Sequence, residues 1–339
     1  MAAVSLGVLA VSAGFTHTPS PSWDLSPTDS TARLRGLSVV SAATVWASGS
    51  QGTVLRTVNG GRTWSSVGPP SAAALELRDI EAFDAKRAVA LSIGTGEDSR
   101  VYRTADGGRT WTETFRNTDP AAFYDCLTFL DERHGLALSD PVDGKFRILA
   151  TNDAGRSWSV VGSAGMPAAL PGEFAFAASG TCLVSAGGRA YFATGGGASA
   201  RVFRSDDLGR TWKVAETPVP SGPSAGIYSL AFRDRDHGVA VGGDYATPDA
   251  APDGVAITRD GGRTWTSAAR EPGEYRSGAA YMTRLGPTLA VGPTGSDISY
   301  DGGRHWSLFD SGSFDAVECA GLAVCYASGE QGRIARLRF

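Results

Sequence analysis

One eight-residue string recurs six times along the chain. It reads TVNGGRTW at 57–64, TADGGRTW at 104–111, TNDAGRSW at 151–158, SDDLGRTW at 205–212, TRDGGRTW at 258–265 and SYDGGRHW at 299–306. The tryptophans that close it, Trp64, Trp111, Trp158, Trp212, Trp265 and Trp306, lie 41 to 54 residues apart. A period of that size marks a repeat architecture, and four short strands per period mark the blade of a propeller. The first unit shows the strands directly. LRGLSVVS, TVWASGS and TVLRT are short β-prone runs, followed by the turn VNGGR and the run TWSSVG. No window has helical periodicity.

The string is built for a turn. Its acidic or amide side chain (Asn59, Asp106, Asp153, Asp207, Asp260, Asp301) can accept hydrogen bonds from nearby backbone N–H groups. The glycine before the arginine supplies a positive φ without a Cβ penalty. The tryptophan opens the next strand and carries a large ring to bury between sheets. Six copies of such a device read as construction rather than catalysis.

These strings resemble Asp-box, or BNR, repeats, as found in sialidases, sortilin-type receptors and photosystem II stability and assembly factors. The resemblance covers nearly the whole chain. It implies that each box sits on the turn between the third and fourth strands of a blade, on the side away from the functional face. It speaks to fold; function has to be read from the site.

Six boxes do not limit the ring to six blades. After Trp306 the runs FDAVECAG, VCYASGE and GRIARLRF match the first three strands of another unit, and GEQGRIAR echoes GSQGTVLR of the first. A fourth strand is available at the other end, in SWDLSP near residues 22–27, where Trp23 matches the tryptophan after each box. The expected fold is an all-β, seven-bladed propeller of four-stranded antiparallel blades over residues 14–339, its last blade closed by both termini. Blades are expected to begin near Leu34, Leu77, Phe123, Glu173, Gly226, Tyr275 and Phe314.

The start, MAAVSLGVLAVSAGF, resembles the apolar core and small-residue cleavage site of a secretory signal without its basic region, so residues 1–13 are expected to be a signal remnant. The expected location is therefore secreted, periplasmic or at the cell envelope. No stretch reaches the about 20 apolar residues of a membrane-spanning helix. A net charge of −4 offers nucleic acid no basic field. Cys319 and Cys325 flank a hairpin turn, where a disulfide and two buried thiols are both open readings; Cys126 and Cys182 are unassigned. No cysteine or histidine spacing fits a zinc site, and no cofactor or metal is expected. His134 and His237 occur in the matching strings DERHG and DRDHG and read as turn residues. The loop GGDYATPDAAPDG carries Asp244, Asp249 and Asp253, which read as a solvated loop before a calcium site.

In a propeller, the loops that enter the inner strands and those that join the second and third strands surround one axial funnel. The first set contributes Arg35, Arg78, Asp79, Tyr124, Asp125, Glu173, Tyr228, Tyr275 and Arg276. The second adds Asp140, Asp143, Asp244, Tyr245, Asp297 and Glu330. Arginine forks recognise carboxylates. Arg35, Arg78 and Arg276 are expected along one side, opposite Asp125 and Glu173, and together with Asp79, Tyr124 and Tyr228 form the candidate ligand site. The competing reading is that these charges only pair with one another and bridge blades. Two functions stay in play. One is a monomeric scaffold or assembly-factor-like protein that binds a glycan, protein or peptide with an anionic group. The other is a glycoside hydrolase, for which Asp125, Glu173 and Tyr228 are the catalytic candidates. Sialidases open with an Arg-Ile-Pro signature that this chain lacks.

Overall fold

The computed structural model describes residues 20–321 and 324–339. They form seven four-stranded antiparallel sheets. From the inside outward, blade one is Leu34–Val39, Val45–Gly49, Val54–Thr57 and Ser65–Ser66. Blade two is Glu76–Ala82, Ala88–Ile93, Arg100–Thr104 and Thr112–Arg116. Blade three is Tyr124–Phe129, Gly135–Val142, Lys145–Thr151 and Ser159–Val160. Blade four is Leu183–Ala186, Arg189–Ala193, Arg201–Ser205 and Lys213–Glu216. Blade five is Ala225–Phe232, Gly238–Asp244, Val255–Thr258 and Thr266–Ser267; blade six is Gly278–Tyr281, Thr288–Gly292, Gly295–Ser299 and Ser307–Asp310. Blade seven takes Ala316–Ala320, Val324–Ser328 and Ile334–Arg338, and its outer strand is Ser22–Ser26, antiparallel to Ile334–Arg338. The apolar start lies outside the described residues.

Each box folds as its chemistry dictates. Asp260 accepts the N–H groups of Arg263 and Thr264, both at 3.0 Å, and the Thr264 hydroxyl at 2.7 Å. The hydroxyl of Thr258 accepts the Gly262 N–H at 2.9 Å. Gly262 sits at φ +77°, and the residue before the equivalent Gly209, Leu208, is held at +62°, where a side chain is disfavoured. The box tryptophans close the spaces between blades. Trp212, Trp265 and Trp306 are buried, while Trp64, Trp111 and Trp158 are half-buried against the same seams. Seven hydrophobic clusters result, one per pair of neighbouring blades.

The inner strands each have an edge facing the axis, and unpaired N–H groups there need acceptors. Side chains of one blade cap the next. Ser38 accepts from Ala82 N–H at 3.0 Å, Asp79 from Leu127 at 2.7 Å, Ser229 from Ala279 at 2.9 Å and Glu318 from Val39 at 2.9 Å. Two disulfides add covalent ties. Cys319 and Cys325 face each other across the first hairpin of blade seven. Cys126, in the inner strand of blade three, is bonded to Cys182, just ahead of the inner strand of blade four.

Blade four departs from the expected pattern. Its inner strand begins at Leu183 rather than near Glu173. Residues 173–182 instead form a strap that leaves the blade and crosses the axis. Ala175 donates its N–H to Asp140 at 2.8 Å, the Ala177 carbonyl accepts from Arg78 of blade two at 2.7 Å, and Gly180 abuts the Asp79 carboxylate. The strap rejoins the ring where Leu230 N–H donates to the Thr181 carbonyl at 2.9 Å. Its backbone groups find partners in three places: Gly195 of blade four, with which Phe174 exchanges two bonds, the strap itself, and the side chains and backbone of other blades.

Candidate functional site

Four inner strands carry a β-bulge at one equivalent register position. Pairing shifts between Leu34 and Gly36, Leu77 and Asp79, Tyr124 and Cys126, and Ile227 and Ser229. The residues left over are Arg35, Arg78, Asp125 and Tyr228. A bulge re-aims one side chain without disturbing the rest of the strand. Blade seven has Asp315 at the same offset, its N–H on the Ser328 carbonyl at 2.7 Å, and blade six has Ser277, its N–H on the Val291 carbonyl at 2.8 Å.

Three of these positions meet at a cavity of about 420 Å³ in the funnel. Its charged side is Arg33, Arg35 and Asp315; its other side is aromatic, with Phe176 of the strap, Tyr228, Tyr245 and Tyr275. Arg33 holds Asp315 with two bonds, Nε to Oδ2 at 2.8 Å and Nη2 to Oδ1 at 2.7 Å. Arg35 stands only 3.7 Å from the same carboxylate, and its Nε is buried with no acceptor among the described residues. Burial holds the Arg35 guanidinium below its ordinary pKa. Arg78, just behind the strap, is drawn down to about 10 by burial, with the neighbouring Arg35 charge adding to the effect. Arg78 has Glu76 at 3.6 Å, so each of the three guanidiniums has a carboxylate within ion-pair distance, and the contact of Arg35 is the longest of the three.

The remaining candidates lie elsewhere. Arg276 falls one register place short of the bulge position. It is buried against Asp297, with further bonds to Glu274 and Thr294. Glu173 does not face the funnel. Its carboxylate accepts from Arg201 Nε at 2.8 Å, Thr194 at 2.6 Å and Leu170 N–H at 2.8 Å, so it clamps the base of the strap. Tyr124 packs edge-on to Phe115 in the seam between blades two and three, and burial pushes its hydroxyl up to about 12. Asp79 is an inner-edge cap beneath the strap. Asp125 is buried beside Asp140; burial and the Asp140 charge push it well up, and burial lifts Asp140 to about 6. Tyr228 does line the cavity, but its hydroxyl is already donated to the Ser224 carbonyl at 2.6 Å. Arg276 and Glu173 pair within their own blades, with Asp297 and Arg201, while the contact of Arg35 with Asp315 runs from blade one to blade seven and is long.

The other expectations resolve locally. His134 and His237 each bond the aspartate three residues earlier, at 2.8 and 2.9 Å, within turns. Asp244 caps the Ala246 N–H at 2.8 Å in its own loop. Sequence reasoning missed Arg33, Asp315 and Phe176. Asp315 had a readable signal, since the run Phe-Asp at 314–315 aligns with Tyr-Asp at 124–125. Phe176 had none, because only the strap's departure from the blade brings it to the funnel.

No family model matches the sequence, and no curated protein matches it. Solved structures do share the fold. A structure described as YCF48 bound to D1 peptide superposes with a TM-score of 0.64 at 14% identity, over 93% of this chain and 96% of that one. YCF48 from Cyanidioschyzon merolae gives 0.63 at 14% identity, over 93% and 98%. A GH74 xyloglucanase from Xanthomonas campestris gives 0.58 at 16% identity, over 87% of this chain and 51% of the enzyme. At such identities the likeness is one of fold: this chain is a seven-bladed β-propeller built like those proteins.

Proposed function

We propose that this propeller is a binding protein, scaffold-like or assembly-factor-like, that takes an anionic group of a peptide into its funnel. The observation that carries the reading is Arg35, a largely buried guanidinium with no hydrogen-bond acceptor among the described residues, lining a cavity open to solvent. Its ion pair to Asp315 is long at 3.7 Å, and a buried charge without hydrogen bonds is costly, so a ligand carboxylate relieves it. A peptide-bound propeller of like fold supports the choice of ligand class.

Hydrolysis is the weaker reading. A glycosidase uses two carboxylates across its cleft. The cavity lining includes one, Asp315, and Arg33 holds it bidentately. Glu173 is sealed beneath Arg201. The two disulfides favour an oxidising compartment, which accords with the proposal that the protein is exported.

Fluorescence anisotropy with labelled acidic, neutral and basic peptides tests the reading, run beside sialoside, uronide and neutral chromogenic glycosides. The parent should bind acidic peptides, Arg35→Gln should lose that preference, and no glycoside should be cleaved. Turnover abolished by Asp125→Asn or Glu173→Gln would replace binding with catalysis.

A further inference from the structure

The seven hydrophobic clusters between blades account for the core of the ring. An eighth lies between no two blades. Phe176 and Ala178 from the strap join Tyr228, Ala251 and Tyr275, with Phe174 packed alongside. Phe176 stacks on Tyr228 at 4.0 Å, and Tyr275 meets Tyr228 edge-on at 4.7 Å. Tyr245 stands perpendicular to both Phe176 and Tyr228, at 6.5 and 6.4 Å, and is 56% exposed. Closing the ring does not require this cluster. The strap carries it to the funnel, where it forms one wall of the cavity whose other wall holds Arg35.

We infer that the funnel selects peptides in which an aromatic side chain lies at or next to the anionic group. This rests on the peptide-binding reading above and adds a second determinant to it. The physical case is the division of the cavity. Its charged atoms are confined to Arg33, Arg35 and Asp315, while the facing rings present apolar surface in stacked and edge-on arrangements that a further ring can extend. A cavity of about 420 Å³ holds a carboxylate and one large side chain together, not a long segment. Among the rings, Tyr228 has its hydroxyl committed to the Ser224 carbonyl, so it offers the cavity a ring face rather than a polar tip. A ligand that supplied charge alone would leave the aromatic wall, and the exposed Tyr245 ring, in contact with water.

The carboxylate can come from a chain terminus or from an acidic side chain, and the probes separate the two. Four labelled pentapeptides serve: one ending in a free-carboxylate Phe, the same ending in Ala, the Phe peptide as its amide, and an amide with Asp before Phe. The parent should bind the free-carboxylate Phe peptide about ten-fold or more tighter than its Ala counterpart, the scale expected for burying a large apolar side chain. Binding of the Asp-Phe amide with loss of the plain amide assigns the charge to a side chain; the converse assigns it to a terminus. Tyr245→Ala, at an exposed position that leaves the fold intact, and Phe176→Leu should each bring the Phe-to-Ala ratio toward one. Arg35→Gln should weaken both peptides alike and leave that ratio standing. Equal affinity for the Phe and Ala peptides in a parent still sensitive to Arg35→Gln would overturn the aromatic inference and spare the anion reading. Failure of every acidic peptide to bind, or insensitivity to Arg35→Gln, would instead remove the reading beneath it.

Discussion

Arg276 and Asp297 approach to 2.6 Å with side chains only 1% and 3% exposed, so the ion pair is sealed inside blade six. Removing one partner strands the other. Arg276→Ala should destabilise the protein by about 3–5 kcal/mol, and pairing Arg276→Met with Asp297→Leu should recover most of the loss. Urea denaturation of the three proteins measures this. A single variant as stable as the parent would show that the pair does not hold the blade.

Two populations of carboxylate pull stability in opposite directions with pH. Burial raises Glu81 to about 7 and Glu318 to about 8 around the axis, each from an ordinary value near 4.5. Between those values the native state holds more protons than the unfolded chain, so their stabilisation is complete below about 4.5 and is lost as pH climbs through 7 to 8. The boxes behave in reverse. Hydrogen bonds hold Asp106, Asp153 and Asp301 near 2, so their contribution is present above about 4 and disappears as pH falls through 2. The melting temperature should therefore peak near pH 4.5–5 and decline toward pH 8.5. Glu318→Gln keeps an acceptor for Val39 and should flatten the decline. A parent whose melting temperature does not change between pH 5 and 8.5 would contradict this assignment.

Asp260→Ala removes the acceptor for two backbone N–H groups and two hydroxyls in the fifth box. The expected loss is about 1–3 kcal/mol, the scale for unsatisfied donors. Peptide affinity of the folded fraction should be unchanged, because the box lies on the turn before the outermost strand. An affinity loss without a change in melting temperature would move the box from construction to recognition.

Deleting the residues up to Ser26 strips the outer strand of blade seven. Trp23 then leaves its contacts with Phe314 and Phe309 and its bond to Ser296 at 2.9 Å. The edge of Ile334–Arg338 is exposed, and open edges recruit other chains. Light scattering should show association, and the melting temperature should fall. A monomeric, equally stable truncation would mean that this strand is dispensable.

The ring itself was legible because its determinants are local. A turn string and a tryptophan recur in six of the seven units, and hydrogen bonds spanning four residues enforce them. What escaped was set by register and by distant contacts. Arg276 looks like Arg35 in sequence, yet blade six has no bulge there, and one place of register sends the side chain into a buried pair. Glu173 sits where an inner strand should begin, but the strand starts at Leu183 because ten residues are spent crossing the axis. The Cys126–Cys182 bond ties neighbouring blades 56 residues apart in sequence, and no local pattern announces it.

The bulged register place has a consequence for how such proteins diversify. The side chain it presents to the funnel makes no demand on the seams between blades, where the hydrophobic clusters carry stability. Arginine, aspartate and tyrosine all occupy it within this one chain, on backbones that pair alike on either side. Recognition and folding are thereby uncoupled at a handful of positions. A lineage can exchange one ligand for another by substitution at Arg35, which holds neither a seam nor the strap, while the repeats that build the ring stay under their own constraint.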